Sequence, residues 1–88
     1  MMQNSENKKN VAIGKTHYSC RPGLDLIPPK FQLEVRRELM DIFGCGQRYL
    51  YKRVKDYQSI PYDVKLAVDS LFARYNLSPD SVWHIWKD

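Results

Sequence analysis

The chain has 88 residues, a formal net charge of +4 at pH 7, and 43% hydrophobic and 12% aromatic residues. This length allows one domain at most, and the apolar content argues against a disordered chain. No run of about 18 apolar residues occurs, so no membrane span or membrane partner is expected. The polar beginning "MMQNSENKKN" lacks the apolar segment of a signal peptide, which predicts a cytoplasmic protein.

Residues 1–29 are predicted to form a flexible or extended N-terminal arm. Residues 1–10 are polar and charged and lack apolar anchors. Further along, Pro22-Gly23 and Pro28-Pro29 are expected to break any helix, and "VAI" at 11–13 has no partner strand. Three apolar residues of the arm are expected to pack against the core: Leu24, Leu26 and Ile27.

Helical periodicity begins after Pro29 and predicts a first helix that ends at Gly44 in the left-handed conformation. Its apolar residues recur at spacings of three and four: Phe31, Val35, Leu39, Ile42 and Phe43. A second helix is predicted from Gln47 to about Tyr57. Its inward residues are expected to be Leu50, Val54 and Tyr57.

Two further helices are predicted toward the C-terminus. Pro61 suits the first turn of a third helix, which runs to about Tyr75, because its missing N–H is not needed there. The apolar residues of this helix that are available for the core are Val64, Leu66 or Ala67, Val68, Leu71, Phe72 and Tyr75. Ser78 is the expected N-cap of a short fourth helix in "SPDSVWHIW". The pattern therefore predicts an all-α fold, with a compact four-helix helix-turn-helix domain over residues 30–88 behind the extended arm.

Only "GCG" separates the first two helices, and so short a connection with glycine favours a helix-turn-helix crossing. The second helix begins "QRYLYKR", and residues 30–57 carry seven cations against four anions. Gln47 and Arg48 are predicted base contacts because Gln and Arg can make two hydrogen bonds to a base edge. Tyr51 is a third candidate, although it could instead pack beside Tyr49. Three cations are predicted to contact phosphates: Lys52, Arg53 and Lys55.

The segments "ELMDIFGCGQRYLYKRVKD" and "IPYDVKLAVDSLFARYNLSPDSVW" resemble the helix-turn-helix of phage Cro and lambda-type repressors. The glycine of that turn falls on Gly44, with Leu39 and Cys45 among its apolar positions. The chain is also similar to short bacterial and phage helix-turn-helix proteins. Met40 departs from the small residue usual in the repressors, and Val54 rather than Arg53 is the late apolar residue. The resemblance implies sequence-specific double-stranded DNA binding, usually as a homodimer, and transcriptional control.

A rival interpretation is a helical protein-interaction module on a degenerate helix-turn-helix scaffold. It would associate through exposed aromatic residues: Tyr49, Tyr51, Trp83 and Trp86. The two tryptophans fit a lid on the core as well as a dimer contact. A simple criterion separates the two functions, namely whether acidic residues interrupt the positive face of the second helix. The acidic residues at issue are Glu38, Asp56 and Asp63.

Other charged and reactive residues carry weaker signals. Arg36 and Arg37 lie near Glu34 and Glu38 on the first helix, which are expected to neutralise them. Lys8, Lys9 and Lys15 could follow DNA from the arm or remain a solvated tail. Metal-ligand types are scattered, and zinc is not predicted; they are His17, Cys20, Cys45 and His84. No catalytic signature is present, so we expect no enzyme, cofactor or small-molecule substrate.

Overall fold

The computed structural model describes residues 15–88, which contain five helices and a three-stranded antiparallel sheet. The strands are β1 (Thr16–Ser19), β2 (Tyr57–Gln58) and β3 (His84–Lys87). The helices are α1 (Arg21–Leu26), α2 (Pro29–Phe43), α3 (Gln47–Lys55), α4 (Tyr62–Ala73) and α5 (Pro79–Val82). The predicted all-α four-helix fold is therefore wrong. Expectations for Lys8, Lys9 and "VAI" at 11–13 lie outside the described residues.

β1 is the central strand of the sheet, which has the order β2-β1-β3. His17 of β1 lies opposite Gln58 of β2 on one side and Trp86 of β3 on the other. The residues after Val82 thus form a strand, where the fourth helix was predicted to continue. Residues 16–19, which the prediction placed in the arm, are extended and form the central strand, since both edge strands pair with them.

α1 occupies the segment in which Pro22-Gly23 was expected to break any helix. Pro22 lies in the first turn, where a backbone N–H has no helical partner to lose. A Cβ on Gly23 would lie 2.9 Å from the Val82 methyl carbons, so glycine allows α1 to approach α5 closely. The segment buries Leu24 and Ile27 as predicted, but Leu26 is 56% exposed and does not pack into the core.

One apolar core joins α1, the three longer helices and α5. The apolar stripes predicted for the longer helices supply most of it: Val35, Leu39, Leu50, Val54, Val68, Leu71 and Phe72. Phe43 is partly buried against the core, and its ring lies 5.4 Å from that of Tyr57. No helix in the described part of the chain is long and apolar enough to cross a membrane.

Candidate nucleic-acid interface

The turn between α2 and α3 is built from backbone hydrogen bonds around Gly44. Gly44 has φ 66°, a left-handed conformation that glycine adopts without steric cost. Its N–H donates to the Asp41 carbonyl, and the Cys45 N–H donates to the Met40 carbonyl at 3.1 Å. These two bonds form a Schellman motif, which stops α2 and redirects the chain into α3. The predicted left-handed glycine is confirmed.

α3 has one buried face and one exposed face. Leu50 is 1% exposed and Val54 is fully buried, and together they hold the helix on the core. Its other residues are all exposed: Gln47, Arg48, Tyr49, Tyr51, Lys52, Arg53 and Lys55. Arg48, Lys52 and Lys55 are spaced by four and three residues, so they share the outward side of the helix. The six predicted DNA contacts are thus accessible, although exposure alone does not test their roles.

The exposed residues of α3 border two grooves. The basic groove, of about 650 Å³, is lined by Tyr49, Lys52, Arg53, Lys55, Asp56 and Gln58. The inter-helix groove, of about 150 Å³, is lined by Leu33, Arg36, Arg37, Met40, Gln47, Leu50 and Tyr51. The structure therefore brings the three predicted phosphate contacts together in one groove. It brings Gln47 and Tyr51 together in the other, and Arg48 lines neither.

Each tyrosine of α3 lies beside an arginine. The Arg36 guanidinium lies 5.7 Å from the Tyr51 ring centre, and the Arg48 guanidinium lies 5.9 Å from that of Tyr49. Tyr51 is therefore an aromatic neighbour of Arg36 on α2. These cation–π contacts restrict the orientation of the guanidinium groups while leaving much of each ring exposed.

Two of the three acidic residues that could interrupt the positive face have partners outside α3, and one of them, Asp56, also lines the basic groove. Asp56 accepts a hydrogen bond from His17, and Glu38 forms an ion pair with Arg74 at the end of α4. Asp63 is exposed in the first turn of α4. Within residues 15–88, no cation of α3 forms an ion pair with a carboxylate.

Arg36 and Arg37 lie closer to the candidate site than the sequence suggested. Their expected neutralisation by Glu38 is wrong, because that carboxylate bonds Arg74 across the α2–α4 contact. Both arginines instead line the inter-helix groove beside Gln47. The available signal was their spacing with Leu33 and Met40, which puts all four on one side of α2.

The C-terminal end of α3 is attached to β1 by three hydrogen bonds. The Val54 carbonyl accepts from the Cys20 N–H and from the Ser19 hydroxyl, both at 3.0 Å. The third bond joins His17 Nδ1 to Asp56 Oδ1 at 2.8 Å. α3 therefore ends at Lys55, two residues earlier than predicted, and Tyr57 belongs to β2.

The tryptophans and cysteines take part in internal packing. Trp83 Nε1 donates to Asp69 Oδ1 at 2.6 Å, and the Trp86 ring stacks on His17. Burial raises the pKa of the Cys20 thiol to about 12, so this thiol remains protonated and unreactive. Within the described part of the chain, no three metal-binding side chains converge.

Comparison with known proteins gives no relative for this chain: no family model, curated protein or solved structure matches it.

Proposed function

We propose that this protein binds double-stranded DNA sequence-specifically through α3, as a cytoplasmic helix-turn-helix regulator of transcription. One observation carries the proposal: a helix held by Leu50 and Val54 presents an outward face of cations, none of which forms an ion pair with a described carboxylate. A short turn joins this helix to a second, packed helix, as in the Cro-type arrangement that the sequence resembles. The same resemblance favours a homodimer on DNA.

The order of residues along α3 suggests how base reading and phosphate binding are divided. Gln47 and Arg48 lie in its first turn, the part of a recognition helix that enters the major groove. Both side chains can bond a base edge twice, whereas lysine acts as a simple point charge. We assign base contacts to these two residues, with Tyr51 beside them. The phosphate contacts are assigned to Lys52, Arg53 and Lys55.

A duplex seated on α3 would also meet α2. Arg36 and Arg37 border the same groove as Gln47, so they extend the positive surface beyond the recognition helix. Phosphate contacts tolerate loose geometry because they depend mainly on charge. We therefore include these two arginines among the residues that fix the orientation of the protein on DNA.

Selection of bound sequences from a random duplex pool tests the proposal directly. A recovered consensus is expected, followed by tight binding to the selected duplex and weaker binding to a scrambled one. If each chain contacts about three to five phosphates, log K should fall with log salt at a slope of about −3 to −4.5. Binding that retains no sequence preference and does not respond to salt would contradict the proposal.

A matched pair of variants separates local charge from total charge. Lys52→Ala removes one cation from α3, whereas Lys87→Ala removes one exposed cation from β3, on the edge of the sheet opposite β2. We expect the first variant to weaken duplex binding and the second to leave it nearly unchanged. Equal weakening would mean that net charge, and not the face of α3, drives the association.

A protein-interaction module is the second candidate. Leu33 is 59% exposed beside the inter-helix groove, and Tyr49 and Tyr51 are also exposed. Trp83 and Trp86 were also expected to take part in this association, but both make contacts within the chain and therefore do not support it. Sedimentation at low and high salt distinguishes the two functions, since an apolar self-association would persist at high salt while DNA binding would not.

A further inference from the structure

His17 lies between two carboxylates at the junction of α3 and the sheet. Its Nδ1 is 2.8 Å from Asp56 Oδ1 and its Nε2 is 2.7 Å from Asp88 Oδ1. The residue is 6% exposed, and its ring stacks on Trp86 with centroids 5.1 Å apart. An ionised carboxylate only accepts hydrogen bonds, so both ring nitrogens must carry protons. The geometry therefore fits an imidazolium.

The surroundings favour that charged form. The hydrogen bond to Asp56 raises the pKa of His17 above its ordinary value of 6.5, burial opposes this, and Asp88 raises the pKa further. Asp56 approaches from the end of α3 and Asp88 from beyond β3, while His84 stacks on Trp86 at 5.1 Å. Gln58, paired with His17 across the sheet, is neutral.

Loss of the proton would break this arrangement. A neutral imidazole has one N–H, so its other nitrogen would direct a lone pair at a carboxylate oxygen less than 3 Å away. At least one of the two aspartates must then move or take another partner. Asp56 directly follows α3 and lines the basic groove with Lys52 and Lys55.

We infer that His17 is a positioning residue for α3: when protonated, it engages the Asp56 carboxylate at the edge of the basic groove, and when neutral, it releases that carboxylate to the neighbouring cations. Where it concerns DNA, the inference rests on the proposed function. Deprotonation also removes one positive charge from beside the basic groove. Since the pKa of His17 is raised on folding, its contribution is fully present below pH 6.5 and is lost as pH rises through the folded value. Duplex affinity should fall in the same direction.

Nuclear magnetic resonance can follow both histidines of the chain separately from about pH 5.5 to 8.5. We expect the His17 ring to titrate above 6.5, with the backbone amides of Lys55 and Asp56 shifting at the same midpoint. Duplex affinity should decrease about fivefold or more across that midpoint. His84→Gln is the matched control and should retain these changes, whereas His17→Gln should remove them.

Asp88→Asn provides a second variant that keeps both the His17 ring and Asp56. It removes one of the two carboxylates, so the His17 midpoint should fall and the pH profile of duplex binding should shift with it. A titration midpoint of the His17 ring at or below pH 6.5 would overturn the inference. It would also be overturned if the backbone amides of Lys55 and Asp56 did not shift at that midpoint. A pH profile of binding that is the same in all variants would overturn it too.

The two proposals fail in different ways. If no duplex binds at any pH, the DNA-binding function is wrong, and the Lys55 and Asp56 amides still determine whether His17 positions α3. If a duplex binds with sequence preference but without dependence on His17, the function stands and the positioning role is rejected.

Discussion

The two faces of α3 differ in almost every physical property. The inward face consists of Leu50 and Val54, which are buried in the apolar core. The outward face carries Arg48, Lys52 and Lys55, which have no ion-pair partner among the described residues. Burial stabilises the fold, whereas unpaired surface cations contribute little to it. The helix therefore separates the residues that stabilise the fold from those proposed to bind DNA, and mutations on one face should leave the property of the other face intact.

Leu50→Ala tests the inward face and should have the largest effect. Removing a buried leucine side chain is expected to lower the free energy of unfolding by about 2–5 kcal/mol. Lys52→Ala is the control on the same helix and should change it by less than about 0.5 kcal/mol. Urea unfolding followed by circular dichroism measures both values. Similar losses for the two variants would mean that the faces are not distinct.

Arg48→Ala tests the outward face at its N-terminal end. Loss of a side chain that bonds a base edge twice should cost about 1–3 kcal/mol on the selected duplex and relax the choice of base at one position. Unfolding should be unaffected because Arg48 makes no buried contact. Fluorescence anisotropy on the selected and a scrambled duplex measures the difference, and equal losses on both would remove Arg48 as a base reader.

The three longer helices could be predicted because the patterns that indicate them are local in the sequence. Apolar spacings of three and four gave the cores of α2, α3 and α4, and Gly44 gave the turn. The sheet was missed because β1 pairs with strands about 40 and 70 residues further along, and no local pattern records such pairing. α1 was missed because Pro22 is harmless in a first turn and Gly23 serves close packing against Val82.

The candidate site could also be predicted only where it depends on local patterns in the sequence. Exposure of Gln47 and Arg48 followed from the inward spacing of Leu50 and Val54. The fate of the acidic residues did not follow, because Asp56 binds His17 and Glu38 binds Arg74, and both partners arrive through tertiary contacts. A net positive face was thus a sequence prediction, whereas the partners that Asp56 and Glu38 bind outside α3 are seen only in the structure.

Gly44→Ala extends the comparison of the two faces of α3 to the turn before it, which belongs to neither face. A side chain at φ 66° should cost about 1–2 kcal/mol in unfolding free energy, although no atom lies within 4 Å of the new Cβ. Gly46→Ala is the matched control, with equally open space but an ordinary φ of −87°. The first variant should lower both stability and duplex affinity, since it alters how α3 leaves α2. A smaller effect from Gly44→Ala than from Gly46→Ala would contradict this role.

Lys55→Ala is expected to have the smallest effect and divides the outward face itself. Lys55 lies two turns after Arg48, at the end of α3, where a recognition helix leaves the bases and runs along the backbone. Its loss should weaken selected and scrambled duplexes about equally and reduce the slope of log K against log salt by about one. Lys87→Ala removes the same charge from β3 and should leave that slope unchanged. A loss confined to the selected duplex would instead make Lys55 a base reader, and recognition would then extend along the whole helix.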